Sequence, residues 1–161
     1  MFRVGIGYDI HAFAPPDSGR RLFLGGVMIE GAPGLAGHSD ADVLIHSICD
    51  AVLGALGLGD LGRHFPDSDP HLKGVSSIVL LEKVGLLMSG QGYRLINIDA
   101  VVIAQTPKIA PRTSEMKRLI AGALGATKAE VNIKGTSPEG LGALGRTEGI
   151  AAESIALIGK I

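Results

Sequence analysis

Twenty-four of the 161 residues are glycine, and they follow no Gly-X-Y period. That is about twice the usual share of a globular chain. Such a chain folds into short elements joined by tight turns, with places where two backbones come unusually close. Eight prolines add to the turns. The rest of the composition is globular, 46% apolar and 19% charged, which argues against disorder. With no Trp and only 4% aromatics, a core has to come from Leu, Ile, Val and Ala. One domain spanning residues 1–161 is expected, long enough to bury that core without disulfides. A net charge of −1 excludes a general electrostatic nucleic-acid binder but leaves room for a local anion site. No uncharged stretch approaches the ~20 residues that span a bilayer, so no membrane partner is expected. Cys49 has no second cysteine to pair with. Met1 leads straight into a strand-like segment rather than a secretory signal, so a cytoplasmic location is expected.

Periodicity divides the chain into strands and helices. Phe2, Val4, Ile6 and Tyr8 alternate with Arg3, Gly5 and Gly7 and predict a strand running into Asp9-Ile10-His11. Arg21–Leu24 and Val27–Glu30 flank Gly25-Gly26, a hairpin signal. Ser39 is the expected cap of a helix over Asp40–Leu56, with Asp42 adding negative charge to its start and Gly57 ending it. Leu58–Lys73 reads as a loop, Ser76–Ser89 as a second helix and Arg94–Ala104 as a buried strand. A loop over Gln105–Arg112 precedes a third helix from Thr113 or Ser114 to Gly125. Val131–Thr136 reads as a short strand and Ser137–Gly149 as a glycine-rich loop. Ile150–Ile161 fits helix or strand equally. Strands and helices without strict alternation predict an α/β or α+β fold with helices packed on one sheet face.

Three places carry candidate chemistry. On an extended backbone Asp9 and His11 project from one side, so a carboxylate and an imidazole converge and can grip a divalent metal. A strand-end Asp bonded to a solvated His is the plainer alternative. Asp42, His46 and Asp50 are spaced by four and share a helix face, so His46 is either a third ligand or a surface histidine with carboxylate partners. Asp9, His11 and His46 together would leave a fourth coordination position open. His38 lies just before a helix start, where anions bind. The loop Gly59-Asp60-Leu61-Gly62 with Phe65-Pro66-Asp67-Ser68-Asp69 can take sugar hydroxyls or a metal, or simply make turns. The stretch from Lys134 to Gly149 mixes Lys134, Thr136, Ser137, Glu139 and Arg146 with glycines, which suits phosphate cradling, although P-loop spacing is absent. Cys49 reads as a small core residue rather than a nucleophile.

Beyond these local readings, ordered blocks cover nearly the whole chain. They are Arg3-Val4-Gly5-Ile6-Gly7-Tyr8-Asp9-Ile10-His11, Gly37-His38-Ser39-Asp40-Ala41-Asp42-Val43 with His46 and Asp50, and Leu58-Gly59-Asp60-Leu61-Gly62. Phe65–Pro70, Ile103–Lys108, Val131–Lys134 and Gly145–Ile150 complete the set. In these blocks the chain resembles the 2-C-methyl-D-erythritol 2,4-cyclodiphosphate synthase family of the non-mevalonate isoprenoid pathway. The resemblance implies a lyase, a homotrimer of subunits with a mixed four-stranded sheet backed by helices, and active sites between subunits. It implies zinc, or another divalent metal, on Asp9, His11 and His46, and a second ion, Mg2+ or Mn2+, helped by Glu139. By the same resemblance Asp9, Ile10 and His11 are expected to border the substrate, His38 and Ser39 to contact phosphate, and Asp60, Leu61, Gly62, Phe65, Pro66, Asp67, Ser68 and Asp69 to meet the methylerythritol end. Ala104, Gln105, Thr106, Pro107, Lys108, Ile109 and Ala110, with Lys134, Gly135, Thr136, Ser137, Pro138 and Glu139, belong by resemblance to the cytidine diphosphate site of a neighbouring subunit. Arg146, which with Glu148 matches the family's trimer-axis positions, is by resemblance a further candidate anion contact, and the resemblance implies that Ile150–Ile161 is a strand.

The implied substrate is 4-diphosphocytidyl-2-C-methyl-D-erythritol 2-phosphate, whose own 2-phosphate attacks its β-phosphorus and expels CMP. His38 is expected to polarise phosphate and Ser137 to donate to the transition state. The family commonly has Thr at Ser137, Ala at Gly135 and, in many members, Phe at Ala143. That Phe lines a cavity on the trimer axis reported to hold isoprenoid diphosphates. A zinc phosphohydrolase and a trimeric metal- or isoprenoid-binding module without activity stand as alternatives.

Overall fold

A computed structural model describes residues 1–161. Six strands and five α-helices run in the order β1 (Phe2–Ala12), β2 (Arg21–Leu24), β3 (Val27–Pro33), α1 (Val43–Leu56), α2 (Leu61–His64), α3 (Ser77–Gly90), β4 (Tyr93–Ile103), α4 (Thr113–Ala123), β5 (Val131–Thr136), α5 (Gly142–Gly145) and β6 (Gly149–Lys160). Four strands form a mixed sheet in the order β1-β6-β4-β5, and β2 pairs with β3 as a separate hairpin. β6 runs antiparallel to both neighbours, and β4 and β5 are parallel. Ala12 lies opposite Gly149, while Ile103 lies between Ala151 of β6 and Thr136 of β5. The C-terminal ends of β1, β4 and β5 therefore lie at the same end of the sheet, where Asp9, His11 and the residues following Ile103 and Thr136 sit.

Glycine decides which face of β1 the helices take. The residues that point at α1 are Arg3, Gly5, Gly7, Asp9 and His11, while Phe2, Val4, Ile6, Tyr8 and Ile10 stand exposed on the other face. A Cβ at Gly5 would fall 2.0 Å from the Ala51 carbonyl oxygen, and one at Gly7 would fall 2.0 Å from that of Ser47. Only a side-chain-free strand lets the helix backbone lie this close. α1 also covers β6, and α3 and α4 pack beside β4 and β5. Leu44, Ile45, Ile48, Leu53, Ile98, Met116 and Ile120 are fully buried between these layers. Cys49 is among them, and burial pushes its thiol well above the usual range.

Several boundaries differ from the sequence expectations. α1 starts at Val43 rather than Asp40, and Asp42 rather than Ser39 is its cap. Ala41 adopts φ 59°, which turns the chain away from helix immediately before Asp42. The loops over 58–73 and 137–149 each hold one turn of helix, α2 and α5. Residues 150–160 are strand, as the resemblance implied. Helical and strand periods are both weak there because β6 lies between β1 and β4 and carries buried residues on both faces. No helix is long and apolar enough to cross a membrane.

Candidate functional site

Asp9 and His11 leave β1 toward α1, and His46 comes down from the first turn of α1 to meet them. Asp9 Oδ2 lies 3.0 Å from His11 Nε2 and 3.0 Å from His46 Nδ1. One ligand atom from each residue falls within 4.8 Å of the others, and the two imidazole rings meet edge-on at 5.4 Å. The close approach at Gly7 is what permits this, because the Ser47 carbonyl it accommodates is the next residue after His46. The helix-face expectation for His46 changes accordingly. Its carboxylate partner is Asp9, not Asp42 or Asp50. Asp42 turns to the β2–β3 hairpin, and Asp50 Oδ1 accepts the Leu61 N–H at 2.6 Å.

Burial is the largest influence on Asp9 and would raise its pKa, but the hydrogen bonds it accepts from His11 and His46 when those rings are in their protonated form outweigh it and hold the carboxyl well below the usual range. The hydrogen bond to Asp9 leads the causes that raise His11 above 6.5. His11 Nδ1 lies 2.6 Å from the Ala36 carbonyl, which only accepts, so Nδ1 holds a proton. In the neutral ring the Nε2 lone pair then faces the Asp9 carboxylate. Two acceptors at 3.0 Å need a proton or a cation between them. Asp9, His11 and His46 thus fit a divalent metal on the chemistry of their own donor atoms.

Beside the cluster is a narrow recess of about 40 Å³, lined by His38, Ser39, His46, Leu61, Phe65 and Asp67 among others. It joins the cluster to the loop over 58–73. His38 Nε2 lies 3.2 Å from the Asp69 carbonyl, and Ser39 Oγ lies 3.2 Å from His46 Nε2. Asp60 is a helix cap, accepting the Arg63 N–H at 2.9 Å, while Gly62, Pro66 and Ser68 are exposed outside the recess. Ile10 points to the opposite face of the sheet, 49% exposed.

Past β6, at the ends of β4 and β5, lies a larger cleft of about 350 Å³. Ala104, Gln105, Pro107, Lys108, Ile109 and Ala110 form one wall, and Gly135, Thr136 and Ser137 the other. The Thr106–Pro107 peptide is cis. Gln105 ties the walls together, its Oε1 accepting the Gly140 N–H at 3.1 Å. Ser137 Oγ accepts the Glu139 N–H at 3.0 Å, which leaves its proton free to donate outward. Glu139 holds φ 53°, a conformation uncommon outside glycine. Lys134 is turned away, its Nζ 2.7 Å from Asp99 Oδ2, and Pro138 and Glu139 lie outside the lining. Arg146 is exposed and pairs with Glu148 at 2.6 Å.

Sequence spacing passed over two supports of the site. Arg20 donates from Nε to the Leu35 carbonyl at 2.7 Å and from an Nη to the Ser39 carbonyl at 2.5 Å, pinning the segment that carries His38. Asp42 is fully buried and accepts N–H groups from Gly25, Gly26 and Ile45 at 2.9, 2.6 and 3.1 Å, which locks the hairpin onto the start of α1. Burial raises its pKa to about 6 against the pull of those donors. The Gly25-Gly26 signal and the acidic helix start were each legible alone, but nothing in the spacing joined them.

Residues 2–159 match the YgbB family model. A 2-C-methyl-D-erythritol 2,4-cyclodiphosphate synthase of Caldicellulosiruptor bescii is 54% identical over 158 residues, covering 98% of this chain and 99% of the relative. The bifunctional enzyme IspD/IspF of Anaeromyxobacter dehalogenans is 58% identical over 154 residues, 96% of this chain but 39% of the relative. The chain therefore spans about two-fifths of the length of such bifunctional relatives. Among solved structures, the bifunctional IspDF from Campylobacter jejuni superposes with a TM-score of 0.94 at 40% identity, covering 100% of this chain and 43% of that one. A CDP complex of IspF from Plasmodium falciparum superposes with a TM-score of 0.86 at 34% identity, covering 99% and 96%. With all but the terminal residues inside one family model, and relatives more than half identical along its length, the chain belongs to the YgbB family.

Proposed function

We propose that residues 1–161 act as a single cyclodiphosphate synthase domain, converting 4-diphosphocytidyl-2-C-methyl-D-erythritol 2-phosphate to 2-C-methyl-D-erythritol 2,4-cyclodiphosphate and CMP. The observation that carries the reading is the convergence of Asp9, His11 and His46 within 4.8 Å. Relatives that this chain matches end to end bear that enzyme's name, and a CDP complex of a neighbour supports a cytidine diphosphate-linked substrate.

In the reaction an oxygen of the 2-phosphate attacks the β-phosphorus, a new P–O bond closes the ring, and the bond to the α-phosphate breaks to release CMP. Asp9, His11 and His46 would hold zinc, which two nitrogens and one oxygen suit, with a fourth position open. That ion would supply charge neutralisation where two phosphates are pressed together. The chain's own groups do the rest. Thr136 and Ser137 offer hydroxyls at the cleft, and Ser137 has a free proton to donate to developing charge. His38 spends Nε2–H on Asp69, so its Nδ1 donates to phosphate only as the imidazolium. Glu139, on the loop that Gln105 anchors, is the candidate holder of a second ion, Mg2+ or Mn2+. Leu61, Phe65 and Asp67 close the recess around the polyol. Holding both ends of one flexible substrate makes the attack unimolecular, worth up to about 7–11 kcal/mol.

A homotrimer with shared active sites belongs to the same proposal. It is supported by the exposed stripe of Val4, Ile6, Tyr8, Ile10 and Ile155, between 67% and 47% accessible on the sheet face away from the helices. The reducing cytoplasm suits the one unpaired thiol, Cys49. Incubation with the cytidine substrate tests the reading: CMP and a cyclic diphosphate are expected, whereas inorganic phosphate would point to a phosphohydrolase, and no turnover to a binding module.

A further inference from the structure

The side of His46 that faces away from Asp9 is as fully furnished as the side that faces it. Nε2 lies 3.0 Å from Ser77 Oγ and 3.2 Å from Ser39 Oγ, and Ser77 is fully buried at the start of α3. Asp40 holds Ser77 twice. The Ser77 N–H donates to Oδ2 at 2.9 Å, and the Ser77 hydroxyl donates to Oδ1. Oδ1 also accepts the Asp42 N–H at 3.2 Å. A serine hydroxyl has one proton, and a carboxylate only accepts. With its proton on Asp40, Ser77 Oγ has only lone pairs left for His46, so Nε2 must carry the ring proton. Ser39 Oγ, which already accepts the Ala41 N–H at 3.1 Å, is a second acceptor for it. The neutral ring is then bare at Nδ1, the atom 3.0 Å from Asp9 Oδ2.

We propose that Asp40 and Ser77 are positioning residues that fix the tautomer and rotation of His46, so that Nδ1 presents a lone pair to a metal shared with Asp9 and His11. The inference rests on the metal reading above. Freed of Ser77, Nε2 would keep only Ser39 Oγ, a hydroxyl that can donate as well as accept, so nothing would hold the ring proton away from Nδ1, where it would donate to Asp9 and fill the position with a hydrogen bond. His11 is locked differently, by the Ala36 carbonyl, which no side-chain substitution removes. Outer groups of this kind orient ligand imidazoles and raise their basicity.

The test uses Ser77→Ala and Asp40→Asn. In Asp40→Asn the amide nitrogen must replace an oxygen that now accepts a backbone N–H, from Asp42 or from Ser77. Zinc affinity of the metal-stripped chain, read by competition with a chromophoric chelator, is expected to fall about 10–100-fold in each variant while the far-UV circular dichroism stays unchanged. Nitrogen-15 NMR of the metal-free, unaltered chain, at a pH where the ring is neutral, should show His46 protonated at Nε2. An Nδ1–H signal there would overturn the proposal without any variant, and decides the matter if the variants do not fold. Folded variants that bind zinc within about twofold of the unaltered chain would also overturn it. Failure of the unaltered chain to bind zinc would instead overturn the metal reading, and this proposal with it.

Discussion

The two halves of the candidate site are built in opposite ways. Around Asp9, His11 and His46 every group has support behind it: Gly7 admits the helix, Asp42 fixes its start, Ala36 holds one imidazole and Ser77 the other. At the ends of β4 and β5 the cleft is an open surface. Lys108, Thr136 and Ser137 are exposed, Ser137 has an unspent proton, and Lys134 is held back on Asp99. One half is completed by the folding of a single chain. The other is an open wall, and the proposed sharing of the active site between subunits would bring a second surface against it.

If that contrast is right, damage to the first half should cost most. His46→Ala, or removal of the metal by chelation, should lower turnover by about 10²–10⁴-fold, the equivalent of several kcal/mol of charge stabilisation. Steady-state assays with and without added zinc check it, and near-normal rates in either case would break the contrast outright. Next comes Asp42→Ala, which removes a helix cap and leaves the Gly25 and Gly26 N–H groups unpaired. A loss of about 2–4 kcal/mol in urea unfolding is expected. The ionisation of Asp42 should also show in stability. Its folded pKa, about 6, lies above the ordinary 3.8, so the native state gains relative to the unfolded one as pH falls from above 6 toward 4, and that gain should vanish in the variant. Gly7→Ala, which sets a Cβ 2.0 Å from a carbonyl oxygen, should cost roughly 1–3 kcal/mol and weaken zinc binding with it.

Smaller effects should mark the second half. Ser137→Ala should reduce kcat by about tenfold or somewhat more with little change in melting temperature, because its hydroxyl supports nothing but the Glu139 N–H. Asp99→Asn should have the least effect. Hydrogen bonds from Lys134 and Asn132 hold the Asp99 carboxyl below its usual value, so its contribution is present above pH 4 and fades as pH falls further. The pair is exposed and screened, so about 0.5 kcal/mol is the expected size, read from the acid limb of a stability curve.

The same contrast explains what could be read from the sequence. Asp9 and His11 are neighbours on one strand, so alternation alone brings them together. The β1 pattern was legible as a strand, but its apolar residues turned out to be the outer face, because the glycines are what α1 needs. Ser39 looked like the helix cap because no local rule foretells the left-handed turn at Ala41. Ser77 is thirty-one residues from His46 and meets it only through tertiary packing. Lys134 belongs to a promising run of residues, yet its ammonium is held on Asp99, on the neighbouring strand, rather than in the cleft. Signals within one element survived; those that depend on two elements meeting did not, except where the family resemblance supplied the meeting.

Zinc X-ray absorption of the metal-loaded chain tests the central claim most directly. One zinc per chain should show two imidazole nitrogens and a carboxylate oxygen at about 2.0–2.2 Å, no sulfur, and a fourth light atom that changes when a cytidine diphosphate is added. Scattering from sulfur, a single imidazole, or no stoichiometric zinc at all would contradict it.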